Sequence, residues 1–351
     1  MISLPELAGG KVVDMKYELT NESMINADEK KLFRIKALVD IEEYGVKAGD
    51  LGGWIEKEDN LSQSGNAWIF GEAKVYDDAQ VSSDAWVSDD ANISGAAKVY
   101  GNAGVYGNAE VYGNAEVSGA AKVYDDAWVS GEAKVSGAAN VYGTANVYGN
   151  AEVSGAVKVF GAAKVGDAKV LGAAWVFGDV WVSGDSCVSD NAKISGNAKV
   201  SGNAKVSGNA KVFGDAKVYG NALVFDNAQI FDNAQVCGDV HVCGDAMVSG
   251  DALISGDIYI CGGSQICGNA QLSNDTDYVT IKDMGISYHR IITFFKCKDG
   301  SISVKCGCFY GTINEFREQV KQTRDGKVAA EYLKIADLME YHFKEDGGIN
   351  G

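Results

Sequence analysis

The sequence predicts an all-β solenoid, a triangular parallel β-helix of hexapeptide repeats with 18 residues per coil. The segment "SGNAKV" occurs three times in succession from Ser195 to Val212. An apolar anchor recurs every six residues from Ile69 to Val165 and, after one five-residue step to Val170, every six residues to Leu272. The 44 glycines follow this period in a chain that is 46% apolar, which indicates an ordered repeat rather than low complexity.

Residues 1–60 are predicted to form an N-terminal β cap, because the first coil of a solenoid exposes unpaired backbone and core. The segment "KKLFRIKALVDI" alternates apolar and polar residues as a strand does. The following "VKAGDLGGWI" is typical of a turn that leads into the first coil.

Residues 61–274 are predicted to form the β-helix. In each hexad an inward alanine, an outward variable residue and an inward valine make a short strand. Gly-Asn or Asp-Asn then forms a corner, because these residues tolerate a positive φ. Three corners close one coil, so anchors such as Val147 and Val206 are expected to be buried.

Outward residues 18 positions apart test this coil length. One such series alternates in charge: Lys98, Glu116, Lys134 and Glu152. A second series is aromatic: Tyr106, Tyr124, Tyr142 and Phe160. Both are expected to form ladders on neighbouring strands, which favours three hexads per coil.

Residues 275–351 are predicted to form a small C-terminal α+β domain. The segment from Ile291 to Phe309 predicts a hairpin that turns at "KDG". "TINE" is a capping box that predicts a helix start. A second helix is predicted from a stripe of apolar residues at helical spacing: Tyr332, Ile335, Leu338 and Met339.

The hexads resemble the hexapeptide repeat of left-handed β-helix proteins, best known in acyltransferases, which share the aliphatic anchor and the small residue two positions before it. The chain is more closely similar to hypothetical proteins of phages and prophages. This similarity lies in "AGDLGGWIEKEDNLSQSGNAWI", in the "SGNAKV"-type hexads and in "VKCGCFYGTINEF". The resemblance implies a left-handed coil and a phage or prophage origin, and it implies no particular molecular role.

Charge and composition exclude several classes of function. A formal charge of −17 argues against a nucleic-acid backbone or an anionic membrane as the partner. We find no signal peptide and no apolar run long enough to span a bilayer. Eight cysteines in 351 residues do not resemble a disulfide framework, so a reducing bacterial cytoplasm is expected. Cys243 and Cys261 are expected to be neighbours with reduced thiols.

The function expected from these features is that of a non-catalytic scaffold or binding protein. It would contact a host or phage protein, or form a homo-oligomer such as a trimer, through an aromatic face or the end domains. The candidate interface consists of Trp68, Phe70, Trp86, Tyr106, Tyr124, Tyr142 and Phe160. A basic belt, a candidate site for an anionic ligand, consists of Lys193, Lys199, Lys205, Lys211 and Lys217.

Two other functions stay open at this point. An acyltransferase of this fold would use a histidine as general base, and His241 is the one histidine on the coils. An acidic decoy would occupy a host factor's nucleic-acid site or sequester a signalling nucleotide. No cofactor or metal is expected, since Cys297, Cys306 and Cys308, with His289, lack a paired CxxC spacing. The aspartates at the corners are expected to bond their own turns.

Overall fold

The structure, a computed structural model, describes residues 15–284 and 290–344. The chain divides into two compact units, of which the first ends at Gly131 and the second begins at Glu132. Between them the units hold about 12 parallel coils of about 18 residues, together with a small antiparallel sheet and helices near the C-terminus. The predicted β-solenoid is therefore confirmed.

The first unit begins with the cap. Three antiparallel strands, β1 (Tyr17–Ile25), β2 (Lys31–Ala37) and β3 (Leu51–Ile55), form it, with short 3₁₀ turns at Glu42–Tyr44 and Glu58–Asn60. On its other edge β3 pairs in parallel with the first coil, where Ile55 lies beside Val75. The cap thus pairs the backbone edge that the first coil would otherwise expose.

The coils of the first unit are built from two-residue strands in three parallel sheets. The sheet orders are β3-β5-β8-β11-β14, β4-β7-β10-β13 and β6-β9-β12. The strands are β4 (Trp68–Ile69), β5 (Lys74–Val75), β6 (Gln80–Val81), β7 (Trp86–Val87), β8 (Asn92–Ile93), β9 (Lys98–Val99), β10 (Gly104–Val105), β11 (Glu110–Val111), β12 (Glu116–Val117), β13 (Lys122–Val123) and β14 (Trp128–Val129).

The second unit continues the same pattern in sheets that we call face A (β17-β20-β23-β26-β29-β32-β35-β38), face B (β16-β19-β22-β25-β28-β31-β34-β37) and face C (β15-β18-β21-β24-β27-β30-β33-β36). The strands are β15 (Lys134–Val135), β16 (Asn140–Val141), β17 (Asn146–Tyr148), β18 (Glu152–Val153), β19 (Lys158–Phe160), β20 (Lys164–Gly166), β21 (Lys169–Val170), β22 (Trp175–Phe177), β23 (Trp181–Ser183), β24 (Cys187–Val188), β25 (Lys193–Ile194), β26 (Lys199–Val200), β27 (Lys205–Val206), β28 (Lys211–Val212), β29 (Lys217–Val218), β30 (Leu223–Val224), β31 (Gln229–Ile230), β32 (Gln235–Val236), β33 (His241–Val242), β34 (Met247–Val248), β35 (Leu253–Asp257), β36 (Tyr259–Ile260), β37 (Gln265–Ile266) and β38 (Gln271–Asn274).

The core of each unit consists of the anchors and the alanines two positions before them. Val147 and Val206 are fully buried, as predicted, and so are Ala145 and Ala204. Each corner contains one residue at positive φ, usually glycine, as at Gly202 (φ 67°). Because a hexad places two small or branched side chains inside per strand, every strand contributes equally to the core.

The five-residue step removes one corner residue and leaves the core unchanged. Val165 and Val170 are both fully buried, so the prediction of a local distortion is confirmed. Asp167 takes the positive φ of the shortened corner, and its carboxylate accepts hydrogen bonds from the backbone and side-chain amides of Asn150 at 2.8 and 3.1 Å. The coil containing this step has 17 residues, since Lys158 pairs with Trp175.

The C-terminal part of the second unit is an antiparallel sheet with two helices. The sheet contains β39 (Tyr278–Lys282), β40 (Ile291–Lys296), β41 (Ile302–Cys306) and β42 (Phe309–Thr312), and the helices are α1 (Ile313–Thr323) and α2 (Gly326–Phe343). The predicted hairpin and the Thr312–Glu315 capping box are confirmed. Leu338 was expected in the buried stripe of α2, but it is 57% exposed, and that assignment is wrong.

The last coil and the C-terminal sheet are joined by a buried carboxylate. Asp277 accepts hydrogen bonds from the backbone amides of Ser273 (2.7 Å) and Asn274 (3.1 Å), and it pairs with Lys296 at 3.0 Å. Nearby, the Gln265 amide donates to the Thr293 hydroxyl at 3.0 Å. These contacts cap the end of the coils in the second unit.

Candidate functional site

The predicted aromatic face includes one residue that is not on the surface. Trp68 is only 1% exposed and packs edge-on against Tyr17 of the cap, with ring centroids 6.5 Å apart. Phe70 is half-buried and has a similar edge contact with Tyr44 of the cap. The assignment of Trp68 to a contact surface is therefore wrong, because the cap covers this coil.

The next aromatic residues of the first unit stack on each other. Trp86 stacks on Tyr106 at 5.0 Å and Tyr106 stacks on Tyr124 at 4.8 Å between ring centroids. The Trp86 ring lies over Gly104, where a Cβ atom would fall 2.5 Å from the indole. The rings are half-buried, so this part of the expected interface is a packed ladder.

The second unit contains an equivalent ladder at the corner that follows face B. Phe160 stacks between Tyr142 and Phe177, with centroid distances of 4.9 Å on both sides. Further along the same corner, Phe213 stacks on Phe231 at 5.0 Å. Parallel stacking of this kind stabilises neighbouring coils and leaves mainly the ring edges for a partner.

The predicted basic belt is on the surface, and all five of its lysines are exposed. On face B, Lys193 lies directly beside Lys211 in register. On face A, Lys199 lies beside Lys217. None of the five takes part in an ion pair among the residues that the structure describes. Like charges on adjacent strands repel each other, so this arrangement costs stability in the free protein.

Two tryptophans that sequence reasoning did not single out lie at the edge of this belt. Trp175 lies in register between Lys158 and Lys193, whose ammonium groups are 4.5 and 5.1 Å from its ring. Trp181 is 46% exposed, and its cation–π contacts form a parallel column. We call the tryptophan–lysine belt the set Lys158, Lys164, Trp175, Trp181, Lys193, Lys199, Lys205, Lys211 and Lys217.

The column on face A has the same order of residues. The ammonium groups of Lys164 and Lys199 lie 5.0 and 5.5 Å from the Trp181 ring. Such contacts hold a tryptophan in a fixed orientation at the surface. The signal in the sequence is the spacing Lys-Trp-Lys in two columns, which the five-residue step disguises because the first interval is 17 residues.

Charge is distributed unevenly along the coils. Residues 158–217 contain eight lysines and five aspartates, a local excess of positive charge. Residues 61–131 contain ten acidic residues and three lysines. A chain with a formal charge of −17 thus contains one basic region.

The series of alternating charges behaves differently from the belt. Lys98 pairs in register with Glu116 in the first unit, and Lys134 pairs with Glu152 in the second. Glu152 also lies 3.8 Å from the Lys169 ammonium. Where lysines have carboxylates beside them the surface charge is balanced internally, and the belt is the contrasting case.

His241 lies on face C in a regular hexad. Its strand pairs in register with Leu223 on one side and Tyr259 on the other, without an insertion at this point. The imidazole contacts the Tyr259 ring, with centroids 4.3 Å apart. A neighbouring recess of about 650 Å³ is lined by residues that include Tyr259, Cys261 and Asp275, and His241 is not among them.

The cysteines correct one prediction. Cys243 and Cys261, expected as reduced neighbours, form a disulfide with Cα atoms 4.6 Å apart. Adjacent parallel strands bring the two Cα atoms into the range that a disulfide needs, so the strain argument against it was too strong. In the hairpin, Cys297 and Cys306 are buried and Cys308 is exposed.

The proposed zinc ligand His289 lies outside the described residues. Among residues 15–284 and 290–344, no group of three or more histidine, cysteine or acidic side chains is arranged to hold a metal ion.

The corner aspartates have a different role from the expected one. Asp89, Asp190 and Asp226 occupy the positive-φ position that glycine takes elsewhere, with φ between 58° and 60°. Their carboxylates accept hydrogen bonds at 3.0 Å from the backbone amides of the corner glycines one coil later. They bond between coils rather than within their own turns.

Comparison with known proteins does not identify the chain. No protein-family model matches it, and no curated protein shows significant similarity to it. Within the part of the chain that the structure describes, no helix has the length and apolar character to cross a membrane.

Proposed function

We propose that this protein is a non-catalytic β-solenoid scaffold that binds acidic protein surfaces through the tryptophan–lysine belt. One observation carries the proposal: lysines of neighbouring coils lie side by side without carboxylates between them, next to two tryptophans held in place by cation–π contacts. An acidic partner would relieve the repulsion between these lysines.

The belt has the composition of an interface. Tryptophan contributes large contact area with few rotatable bonds, and it is enriched among the residues that dominate binding energy. Trp181 is exposed at 46%, whereas the residues of the aromatic ladders are half-buried against each other. We therefore place the main contact on the belt and not on the aromatic face that the sequence favoured.

The partner that we propose is a second copy of the chain. Residues 61–131, with ten acidic residues and three lysines, provide a surface of opposite charge to the belt. A contact between two different surfaces of the same molecule is heterologous, so it generates rings or filaments rather than an isologous dimer. A trimer is one closed form of this arrangement.

Sedimentation velocity tests the proposal. At about 25 mM salt the protein should self-associate, and at about 500 mM salt it should dissociate, because the contact is between exposed charges. The double variant Lys199→Gln and Lys217→Gln should remain monomeric at low salt, and Trp181→Ser should weaken the association. The matched control, Lys98→Gln with Lys134→Gln, changes the charge equally and should associate like the parent.

Two results would overturn the proposal. One is a parent protein that stays monomeric at about 25 mM salt and about 100 µM protein, where an interface of this kind should form. The other is equal association of the belt variant and the control variant. Association that is lost in Trp86→Ser with Tyr124→Ser, and kept in the belt variant, would instead return the contact to the aromatic ladder.

The biological setting is proposed from the resemblance of Ala48 to Ile69, the hexads and the tail to phage and prophage proteins. We propose that the scaffold acts in the bacterial host cell. The disulfide between Cys243 and Cys261 would be opened in a reducing cytoplasm, so thiol labelling of protein purified under alkylating conditions tests the compartment.

A further inference from the structure

The aromatic ladder of the second unit ends at a cavity. Phe213 stacks on one face of Phe231, with ring centroids 5.0 Å apart and planes within 3°. In the next coil, strand β31 pairs with β34, which brings Ser249 to the ladder position above Phe231. Serine has no ring, so in the described residues the second face of Phe231 has no aromatic partner.

A cavity of about 420 Å³ lies at this point, and Phe231, Met247 and Ser249 line it from the coils. From the C-terminal sheet, Lys305 and Tyr310 line it, and these two residues are cross-strand neighbours on β41 and β42. A volume of this size is within the range of small-molecule sites, roughly 300–1,000 Å³. We call it the ladder-end cavity.

The protein itself shows what a serine in the ladder permits. In the first unit Ser88 occupies the equivalent position below Tyr106, and there the indole of the preceding strand, Trp86, stacks on Tyr106. The residue equivalent to Trp86 beside Ser249 is Met247, which has no ring to supply. A ring that stacks on Phe231 must therefore come from outside these coils.

The charges around the cavity favour an anion. Lys305 takes part in no ion pair among the described residues, and its charge reaches Cys267, whose pKa is raised to about 11 by burial against the opposing effect of Lys305. The nearby Asp232 carboxylate is occupied by a hydrogen bond from the Gly250 amide at 3.0 Å. The cavity thus combines one free aromatic face with one free cation.

We propose that the ladder-end cavity binds a planar aromatic anion, an aromatic carboxylate or phosphate ester such as a nucleotide. The ring stacks on Phe231 and the anionic group pairs with Lys305. This site is separate from the tryptophan–lysine belt and does not depend on self-association.

Titration calorimetry with adenosine monophosphate and 1-naphthoate tests the site. A single stack and one charge contact predict one site per chain with a dissociation constant of roughly 0.1–1 mM. Adenosine lacks the anionic group and should bind about 10-fold more weakly.

Two variants place the ligand. Ser249→Phe should fill the cavity with the missing ring and abolish binding, while Ser195→Phe adds the same ring at the same ladder position outside the cavity and should leave binding unchanged. Lys305→Gln should weaken the binding of both anions about 10-fold and leave adenosine unaffected. Its control is Lys298→Gln, which removes an exposed lysine from the hairpin turn of the same sheet.

The proposal is overturned if neither anion binds at about 5 mM, well above the expected dissociation constant. It is also overturned if Ser195→Phe abolishes binding and Ser249→Phe keeps it. A third contrary result would be that neither anion binds and Ser249→Phe abolishes association between chains, since the cavity would then hold an aromatic side chain of a partner. If Ser249→Phe does not fold, the comparison of Lys305→Gln with Lys298→Gln decides.

Discussion

At the scale of single residues, the corner position explains why aspartate and glycine alternate in the hexads. A positive φ costs an ordinary side chain roughly 1–2 kcal/mol, and glycine avoids that cost. Aspartate tolerates the same φ and adds a hydrogen bond, as Asp226 does (φ 59°) to the Gly244 amide one coil later. The choice between the two residues is thus a choice between freedom and a bond to the next coil.

Substitutions at Asp226 test this account. Asp226→Ala should lower the free energy of unfolding by about 1–2 kcal/mol, because it loses both the tolerated φ and the hydrogen bond. Asp226→Asn keeps a carbonyl acceptor at the same position and should unfold at nearly the parent temperature. Thermal unfolding followed by circular dichroism distinguishes them, and equal midpoints for the alanine and asparagine variants would refute the role.

The anchors offer a second test at this scale. Val206 is fully buried between Val188 and Val224 of the adjacent coils. Val206→Asp places an unpaired carboxylate in the core and should cost several kcal/mol of stability. Lys205→Asp changes the exposed neighbour on the same strand and should cost far less. Similar losses in both variants would contradict the inward assignment of the anchor.

At the scale of structural elements, the junction between β38 and β39 depends on ionised Asp277. Burial raises the pKa of this carboxyl, but the Ser273 and Asn274 amides and Lys296 outweigh it and hold the pKa below its usual range. A lowered pKa in the folded state stabilises the protein above the unfolded value, near 4, and this stability is lost as the pH falls through the folded value.

Asp277→Asn should therefore destabilise the second unit at pH 7 by about 1–3 kcal/mol, since the amide cannot replace the charge-assisted bonds. The difference between parent and variant should shrink below about pH 4. Thermal midpoints measured from pH 7 to pH 3 test this, with exposed Asp251→Asn as the control. A difference that stays constant over this range would exclude ionisation as its source.

The elements that could be predicted from the sequence are those fixed by local periodicity. The hexad positions of Val and Ala, the Lys298–Gly300 turn and the Thr312–Glu315 capping box all depend on neighbours within a few residues, and all are confirmed. The burial of Trp68 could not be predicted in this way, because it depends on Tyr17 of the cap, which is distant in sequence.

The candidate sites were only partly accessible to sequence reasoning. The exposed lysines were found, but the two tryptophans beside them were not, because the 17-residue coil displaces them from the 18-residue count. The cavity at Ser249 depends on side chains of β41 and β42, which no repeat pattern specifies. The left-handed coil, the phage origin and the choice between scaffold, acyltransferase and decoy stay predictions.

At the scale of the whole molecule, each hexad contributes the same inward pair of residues, so the core does not distinguish one hexad from the next. The outward columns do distinguish them, because residues stack only with those 18, or once 17, positions away. The ladder, the belt and the contact of the last coil with the C-terminal sheet therefore depend on complete coils.

Deletions test this distinction. Removing Ser195–Val212 takes out 18 residues and brings Phe177 onto Phe213, so the thermal midpoint should change by only a few degrees, about as expected for one repeat of a solenoid. Removing only Ser195–Val200 keeps the core pattern but places Ser201 above Phe177 and disrupts the outward columns. The shorter deletion should be the more damaging one, and the opposite order of midpoints would contradict the account.

The three identical hexads from Ser195 to Val212 also have a consequence for heredity. Identical peptides are encoded by closely similar stretches of DNA, and such tandem stretches gain and lose copies when replication slips or when misaligned copies recombine. A gain or loss of one copy turns everything downstream by a third of a revolution, whereas a change of three copies restores every column. Selection on the gene should therefore retain length variants in steps of 54 base pairs, which is 18 codons, and discard those in steps of 18 base pairs.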